Sequence, residues 1–323
     1  MNWITRWKKI GIKVKQIFKK QTKSSDDSDW KNCPQCKKIT YKPDLYKNSY
    51  ICECSYHFDF PPKLRLDSLF DSSYEIIESP NGINPDPLNF EVKYAAREGY
   101  KYIDKIKKYR KVTGQQTALL CAKGNISNLS AVVVCFNPKF GAGRFGPAEN
   151  EHFLKAANIA VSNKVDIWLV IYQSSGIDVH TGVTGLAGMT KSIIAMNEIK
   201  KANIPTFAIA ARAVAGGTYA SSFFQHEFII IESQSVENLL FSGKRVTANI
   251  LKGTDQIPED FGTGPGVMKA GLADMTLESR KNLKETVTKL ANIILKKDKS
   301  KAENVEEAHE NQEDFKKTAS TAS

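Results

Sequence analysis

Hydrophobic residues follow two different patterns along the chain, and the change comes near residue 117. Beyond that point, short apolar runs of strand length alternate with longer segments whose apolar positions recur every three or four residues. The pattern predicts strands at 117–122, 130–136, 166–172, 204–210 and 227–232, and helices at 149–163, 182–202 and 217–226. Strands and helices in alternation are typical of an α/β fold.

Glycine-rich turns follow several of the predicted strands. Glycine allows left-handed backbone conformations and close backbone approach, and N–H groups at the start of a following helix can bind an anion. These turns are therefore candidates for a binding site at one edge of the sheet. The glycines are Gly141, Gly143, Gly176, Gly216 and Gly217.

The N-terminal residues are organised differently. Apolar residues in 1–20 recur at helical spacing with lysines between them, which predicts a basic amphipathic arm over 1–24. This arm has eight Lys and Arg residues and no acid, so it carries most of the net charge of +11. Such a helix can lie on a membrane surface or a partner, or dock on the protein itself, which is the simpler interpretation.

Composition restricts the class of protein. The 323 residues are 41% hydrophobic and 25% charged, which is typical of a globular protein. No run of 18 apolar residues is present, and the N-terminus lacks the pattern of a secretory signal, so we expect a cytoplasmic location without a membrane span. The predicted regions are the arm at 1–24, a cysteine module at 30–60, a large domain at 63–295 and a charged disordered tail at 297–323.

Four of the six cysteines lie within a short stretch of the module. Cys33, Cys36, Cys52 and Cys54 have the spacing C-x2-C-x15-C-x-C, which predicts a structural Zn²⁺ site of the zinc-ribbon type. The second arm is one residue shorter than the usual C-x2-C turn. Either this arm is strained or His57 replaces Cys54 as the fourth ligand.

The order of the motifs resembles one family, the β subunit of bacterial acetyl-CoA carboxylase carboxyltransferase. The resemblance covers about residues 1–295. It implies a crotonase-like (ClpP/crotonase) α/β fold, which is a spiral of β-β-α units, after a small zinc-ribbon module. The matching segments are Met1–Ile4, Trp30–Cys36, Lys63–Leu69, Lys108–Gly114, Gly271–Asp274 and the strand-turn blocks between them.

The resemblance also implies an activity and partners. The carboxyl group would move from carboxybiotin on a biotin carboxyl carrier protein to acetyl-CoA, giving malonyl-CoA for fatty-acid synthesis. The subunit would be active only with an α partner in an α2β2 heterotetramer that works with biotin carboxylase. Two other hypotheses remain open: a non-catalytic or altered-specificity paralogue, and a zinc-ribbon regulator that binds nucleic acid weakly.

The family's oxyanion turn, Ser-Gly-Gly-Ala-Arg, corresponds here to residues 175–179. Gly176 is kept, but Ile177 stands in place of the second glycine and Val179 in place of the arginine. The N–H of Ile177 can still be a donor, yet we expect a β-branched side chain to be strained at positive φ and to crowd the thioester. Gly216 and Gly217 match a second glycine block of the family, which implies close backbone approach at a helix N-terminus beside the acyl-CoA or the α-subunit face. Helix–strand packing is the alternative for that pair, and a plain strand-to-helix turn is the alternative for Gly176.

Two further segments are candidates for contact with CoA. The loop with Lys139, Gly141, Gly143 and Arg144 corresponds to a glycine-rich loop of the family and could cover the pantetheine or a phosphate. Lys244 and Arg245 lie in a segment that resembles the family's Gly-Pro-Arg-Val block, and they could attract CoA phosphates. An inert surface loop and an ordinary solvated pair are the respective alternatives.

Overall fold

The computed structural model describes residues 29–94, 99–251 and 257–295, without the side chains of Lys244 and Arg245. The arm predicted for 1–24 and the tail predicted for 297–323 lie outside the described residues. The chain divides into two compact units, Met1–Phe60 and Pro61–Ser323.

The first unit is a small module built on a two-stranded antiparallel sheet. Strand β1 (Trp30–Asn32) pairs with β2 (Ile39–Tyr41), and helix α1 (Lys42–Lys47) follows directly. Its buried core contains Leu45 and Phe58, packed with two of the cysteines. So small a core needs a further stabilising element such as a bound metal.

The second unit is built on one central sheet. Among the described residues the sheet has eight strands in the order β12-β10-β9-β8-β7-β6-β3, with β11 added beside β9. Strands β7, β8, β9, β10 and β12 run parallel, whereas β6 and β3 pair antiparallel at one edge. The strands are β3 (Glu75–Ile77), β6 (Leu119–Ile126), β7 (Leu129–Phe136), β8 (Ile167–Ser174), β9 (Thr206–Ala215), β10 (Phe228–Ile231), β11 (Leu239–Leu240) and β12 (Met275–Thr276); β4 (Glu91–Val92) and β5 (Tyr100–Lys101) form a separate antiparallel pair.

Helices cover both faces of this sheet, which is why β7 and β8 are apolar on both sides. On one face Val132 and Val134 pack against α4 (Pro147–Ser162) and α5 (Gly182–Lys201). On the other face Val133 and Cys135 pack against α2 (Pro62–Leu69) and α9 (Leu283–Ile294). The alternation follows from the two-residue period of a strand. The helices are α2 (Pro62–Leu69), α3 (Tyr102–Thr113), α4 (Pro147–Ser162), α5 (Gly182–Lys201), α6 (Gly216–Ala220), α7 (Lys244–Ile250), α8 (Gly264–Lys269) and α9 (Leu283–Ile294).

Two predictions of local structure are wrong. The helix predicted over 217–226 ends at Ala220, because the chain bends at Ser221 and turns Phe223 into the core against Tyr172, with ring centroids 5.2 Å apart. The hydrophobic pattern predicts no strand before residue 117 in the second unit, yet this part of the chain contains β3, β4 and β5. Strands of two or three residues are too short to show a hydrophobic period.

The β-β-α repeat predicted from the resemblance is present where β6, β7 and α4 follow one another. Among the described residues, no helix combines the length and the apolar character needed to cross a bilayer.

Candidate active site and cysteine cluster

Two tight turns present the four cysteines of the first unit. In the first turn the N–H of Cys33 donates to the carbonyl of Lys38 and the N–H of Lys37 donates to the carbonyl of Cys33, both at 2.9 Å. In the second, the N–H of Ser55 donates to the carbonyl of Cys52 at 2.9 Å, with Ser55 at φ +65°. The shortened C-x-C arm therefore forms a closed turn of its own.

The turns bring the four sulfur atoms together, all within 4.8 Å of one another. The Cys33–Cys54 sulfur distance is 3.6 Å and the Cys36–Cys52 distance is 3.7 Å. Tetrahedral Zn²⁺ with bonds of about 2.3 Å separates its sulfur ligands by about 3.8 Å, so the donor set fits this ion. Among the described residues this ligand group contains Cys54 and does not contain His57.

The thiols of the cluster differ in acidity. Burial opposes ionisation of Cys33, but the N–H groups of Cys36 and Gln35 and the Cys54 thiol outweigh it and hold the pKa of Cys33 at about 7. Burial, with the neighbouring thiols, raises the pKa of Cys54 to about 12. The cluster thus loses its first proton readily at Cys33, whereas ionisation of Cys54 requires a further stabilising charge such as a bound cation.

In the second unit, the loops that follow β7, β8 and β9 meet at one edge of the sheet. These strands are adjacent and parallel, so their carboxyl ends lie together. Gly176 has φ +107°, and a Cβ on it would lie 2.7 Å from the carbonyl oxygen of Ala215. A Cβ on Gly216 would lie 3.6 Å from the Cα of Gly176. The structure therefore brings the predicted glycine turns at 176 and 216 into backbone contact, and only glycine fits at 176.

Ile177 does not carry the strain expected from its sequence. The positive φ of this turn belongs to Gly176, and Ile177 is not in the left-handed region. Its side chain packs against the main core and into a recess over Gly217, where a Cβ would lie 2.3 Å from its Cγ1 and 3.0 Å from the sulfur of Met189. The prediction of strain at Ile177 is wrong because the neighbouring glycine adopts the demanding conformation.

One N–H group in this turn differs from its neighbours in its hydrogen bonding. The N–H of Ser175 donates to Ala142 at 3.0 Å, that of Gly176 to the Ser174 hydroxyl at 3.1 Å, and that of Asp178 to Phe145 at 3.2 Å. The N–H of Ile177 has no protein acceptor among the residues that the structure describes. It is therefore available to a ligand.

The loop between β7 and α4 packs against the Gly176 turn and the end of β8. A Cβ on Gly143 would lie 1.8 Å from the carbonyl oxygen of Gln173, so this loop is pressed against the end of β8. Phe145 forms a parallel bridge with Ile177. Gly141 has φ +57°, and Lys139 is exposed at the surface.

Arg144 is buried inside the protein, whereas a contact with CoA requires its side chain to be accessible at the surface. Its guanidinium is 5% exposed and pairs with Glu149 at 2.9 Å and Asp178 at 3.2 Å. These two carboxylates outweigh the effect of burial and raise the pKa of Arg144 further above its usual range. The side chain therefore fixes the loop to α4 and to the Gly176 turn, and this contradicts the predicted contact with CoA.

Tyr102 and His180 also contact the carboxylate of Asp178, and the sequence did not predict a role for either residue. The Tyr102 hydroxyl donates to Asp178 at 2.5 Å, and Nδ1 of His180 lies 2.9 Å from the same carboxylate. The rings of Tyr102 and His180 stack with centroids 4.0 Å apart. Burial raises the pKa of Tyr102 well above its usual range, so the phenol stays a donor. The one indication of this cluster in the sequence is the spacing of Asp178 and His180, which are two residues apart.

The last predicted CoA contacts, Lys244 and Arg245, begin helix α7 after Gly243. Their side chains lie outside the described part of the chain.

Comparison with known proteins identifies the family of this arrangement. Residues 103–322 match the family model of the carboxyl transferase domain. The chain is 30% identical to the acetyl-coenzyme A carboxylase carboxyl transferase subunit beta of Pelagibacter ubique over 99% of this chain and 100% of that relative. It is also 30% identical to the same subunit of a Sulfurihydrogenibium species over 85% of this chain and 94% of that relative.

Solved structures show the same fold. Transcarboxylase 12S matches with a TM-score of 0.54 and 18% identity, over 72% of this chain and 41% of that one. The Pseudomonas malonate decarboxylase MdcD-MdcE hetero-dimer matches with a TM-score of 0.52 and 16% identity, over 73% of this chain and 86% of that one.

Proposed function

The chain belongs to the family of acetyl-CoA carboxylase carboxyltransferase β subunits, and on this premise we propose that its glycine turns are where the carboxyl group is transferred. The donor is carboxybiotin on a carrier protein and the acceptor is acetyl-CoA, which becomes malonyl-CoA. The observation that carries this proposal is the N–H of Ile177, beside Gly176, which has no acceptor in the described part of the chain.

The chemistry needs a fixed donor at this position. The acetyl methyl carbon gives up a proton and forms a bond to the carboxyl carbon of carboxybiotin, while the bond from that carbon to the ureido nitrogen breaks and the nitrogen takes up the proton. Negative charge therefore develops on the thioester oxygen during the transfer. An N–H that is already oriented stabilises this charge without reorganisation. Ile177 supplies that N–H, and Gly216 and Gly217, at the start of α6, lie directly beside this turn. Lys139, with Lys244 and Arg245, remains the proposed contact for CoA phosphates.

The retained geometry favours an active subunit over a non-catalytic paralogue. Ile177 replaces a glycine, but its side chain occupies a recess over Gly217, and none of the described residues accepts a hydrogen bond from its N–H. The departure from the family motif is therefore accommodated by packing. The donor itself is unchanged, because every residue except proline offers a backbone N–H.

The partners follow from the family and are part of the proposal. We expect an α subunit of similar fold to complete the site in an α2β2 heterotetramer, with the biotin carboxyl carrier protein delivering the carboxyl group from biotin carboxylase. One structural Zn²⁺ would be held by Cys33, Cys36, Cys52 and Cys54. Its contribution there is to the folding of the small first unit.

A direct experiment is to purify the full chain with its α subunit and measure malonyl-CoA-dependent carboxylation of biocytin. Gly176→Ala places a Cβ 2.7 Å from the carbonyl of Ala215, so we expect turnover to fall by about 100-fold or more. Gly114→Ala is the matched control, because Gly114 also has a positive φ, at +70°, but has open space around it. An intact wild-type complex without turnover contradicts the proposed function.

A second candidate function is nucleic-acid binding by the first unit, and one observation favours it. Trp30 and Tyr41 lie opposite each other on β1 and β2, are 56% and 38% exposed, and hold their rings 5.1 Å apart. Exposed aromatic pairs of this kind stack on single-stranded bases. RNA affinity that falls with salt and with Trp30→Ala supports this function, and affinity unchanged by that substitution rejects it.

A further inference from the structure

The hydroxyl of Ser174 lies at the point where three segments meet. Ser174 is the last residue of β8, and its Oγ contacts one group in the loop after β7, one in the turn after β8 and one in helix α6, which follows β9 directly. It donates to the carbonyl of Gly143 at 2.7 Å, accepts from the N–H of Gly176 at 3.1 Å, and lies 3.1 Å from Oγ1 of Thr218. Ser174 is 1% exposed and Thr218 is fully buried, so water does not compete for these bonds.

The direction of each bond follows from the capacity of a hydroxyl. A serine hydroxyl has one proton to donate and two lone pairs to accept with. The proton is used on Gly143, so the hydroxyl of Thr218 must donate to Ser174. The second lone pair of the Ser174 oxygen accepts a hydrogen bond from the N–H of Gly176. All three bonding capacities of Ser174 are therefore used, and each joins a different segment.

Backbone contacts that do not involve this hydroxyl also hold these segments together. Close backbone packing already presses Gly143 onto the carbonyl of Gln173 and Gly176 onto that of Ala215. The bond from Ser174 instead fixes where the N–H of Gly176 points, and hence the orientation of the turn that presents the next peptide group. That next group is the N–H of Ile177.

We propose that Ser174 is a positioning residue for carboxyl transfer, whose hydroxyl orients the Gly176 turn so that the N–H of Ile177 points at the thioester oxygen. This inference rests on the proposed function and adds to it the group that sets the donor's orientation. Thr218 has a lesser part, because it supplies only one of the three bonds.

The test uses the full chain in complex with its α subunit and three single variants. Ser174→Ala removes all three bonds, whereas Thr218→Val removes one and keeps the side-chain volume. Ser192→Ala is the matched control, because Ser192 is also fully buried and its hydroxyl donates one bond, at 2.8 Å, to the carbonyl of Met189 within α5. The readouts are kcat and KM for the acyl-CoA, the stoichiometry of acyl-CoA binding, and the ¹³C chemical shift of a labelled thioester carbonyl when bound.

If Ser174→Ala leaves the N–H of Ile177 pointing away from the thioester oxygen, turnover and the carbonyl signal should change while binding does not. We expect Ser174→Ala to lower kcat by about 10- to 100-fold with KM changed by less than about threefold, because small errors of alignment at a reacting centre have effects of this size. The binding stoichiometry stays at the wild-type value, and the ¹³C signal of the bound carbonyl moves back toward that of free acyl-CoA. Thr218→Val shifts the signal in the same direction by less, and Ser192→Ala leaves it unchanged.

The outcomes separate this inference from the function on which it rests. Normal turnover and a normal carbonyl signal in Ser174→Ala overturn the positioning role alone. A fall in stoichiometry that accounts for the whole loss of turnover also overturns it, because Ser174 would then act only in folding. If Ser174→Ala does not fold, a wild-type carbonyl signal in Thr218→Val overturns it. A wild-type complex that neither binds acyl-CoA nor turns over contradicts the proposed function itself.

Discussion

Ile177 packs its Cγ1 branch over Gly217 so closely that a Cβ on residue 217 would lie 2.3 Å from it. Ile177, which replaces a glycine of the family motif, therefore fits only because residue 217, in the next turn, is still a glycine. The two turns are therefore a matched pair, and a change in either one affects the other.

This pairing predicts the effect of Gly217→Ala. The added methyl group must displace Ile177, which we expect to lower the free energy of unfolding by about 1–3 kcal/mol and to reduce turnover. Adding Ile177→Ala removes the opposing branch, so the double variant should recover part of the loss. Urea unfolding and biocytin carboxylation measure both effects. Strictly additive losses in the double variant contradict the pairing.

The cysteine cluster predicts which side chains retain zinc. We expect about one zinc ion per chain in the purified protein, a large loss in Cys54→Ser, and retention in His57→Ala, because the Cys54 sulfur belongs to the group and His57 does not. Metal analysis after dialysis against a weak chelator measures this. Zinc kept by Cys54→Ser and lost by His57→Ala would assign the fourth ligand to His57 instead.

The buried pair of Arg144 and Asp178 predicts a large cost when one charge is removed. Asp178→Asn leaves the guanidinium without one of its two carboxylates, and we expect the free energy of unfolding to fall by about 3–5 kcal/mol. The matched control is Lys201→Met, which breaks an exposed pair with Glu198 at 2.8 Å and should cost less than about 1 kcal/mol. Equal losses in the two variants are incompatible with a structural role for Arg144.

The sequence predicted the strands that are buried on both faces and missed features that depend on distant contacts. Nearly every residue of β7 is buried, so its apolar run was a strong signal. Arg144 looked like a surface cation because its partner Asp178 comes from another loop, and only the fold brings the two together. Ile177 looked strained because a sequence does not reveal which residue of a turn takes the positive φ; here that residue is Gly176.

His226 predicts how stability depends on pH. Burial lowers the pKa of this imidazole from 6.5 to about 3, so the folded state keeps it neutral. Its contribution to stability is therefore complete above pH 6.5 and is lost as the pH falls from 6.5 toward 3. Between pH 7 and pH 5 we expect a loss of about 2 kcal/mol from this group.

His226→Gln removes the titrating group and should flatten this part of the stability profile, as measured by urea unfolding at several pH values. The buried His152 has a lowered pKa as well and contributes in the same direction, so part of the slope remains in the variant. A profile with the wild-type slope in His226→Gln would show that His226 does not titrate on unfolding.

Replacing the N–H of Ile177 by an ester oxygen through semisynthesis tests most directly whether this N–H stabilises the thioester oxygen. The ester leaves the side chain and its packing over Gly217 in place, so the turn keeps its shape while the donor is lost. We expect kcat of the complex with its α subunit to fall by about 100- to 1,000-fold with little change in KM for acetyl-CoA. An ester-containing subunit with the kcat of the wild type would contradict the claim.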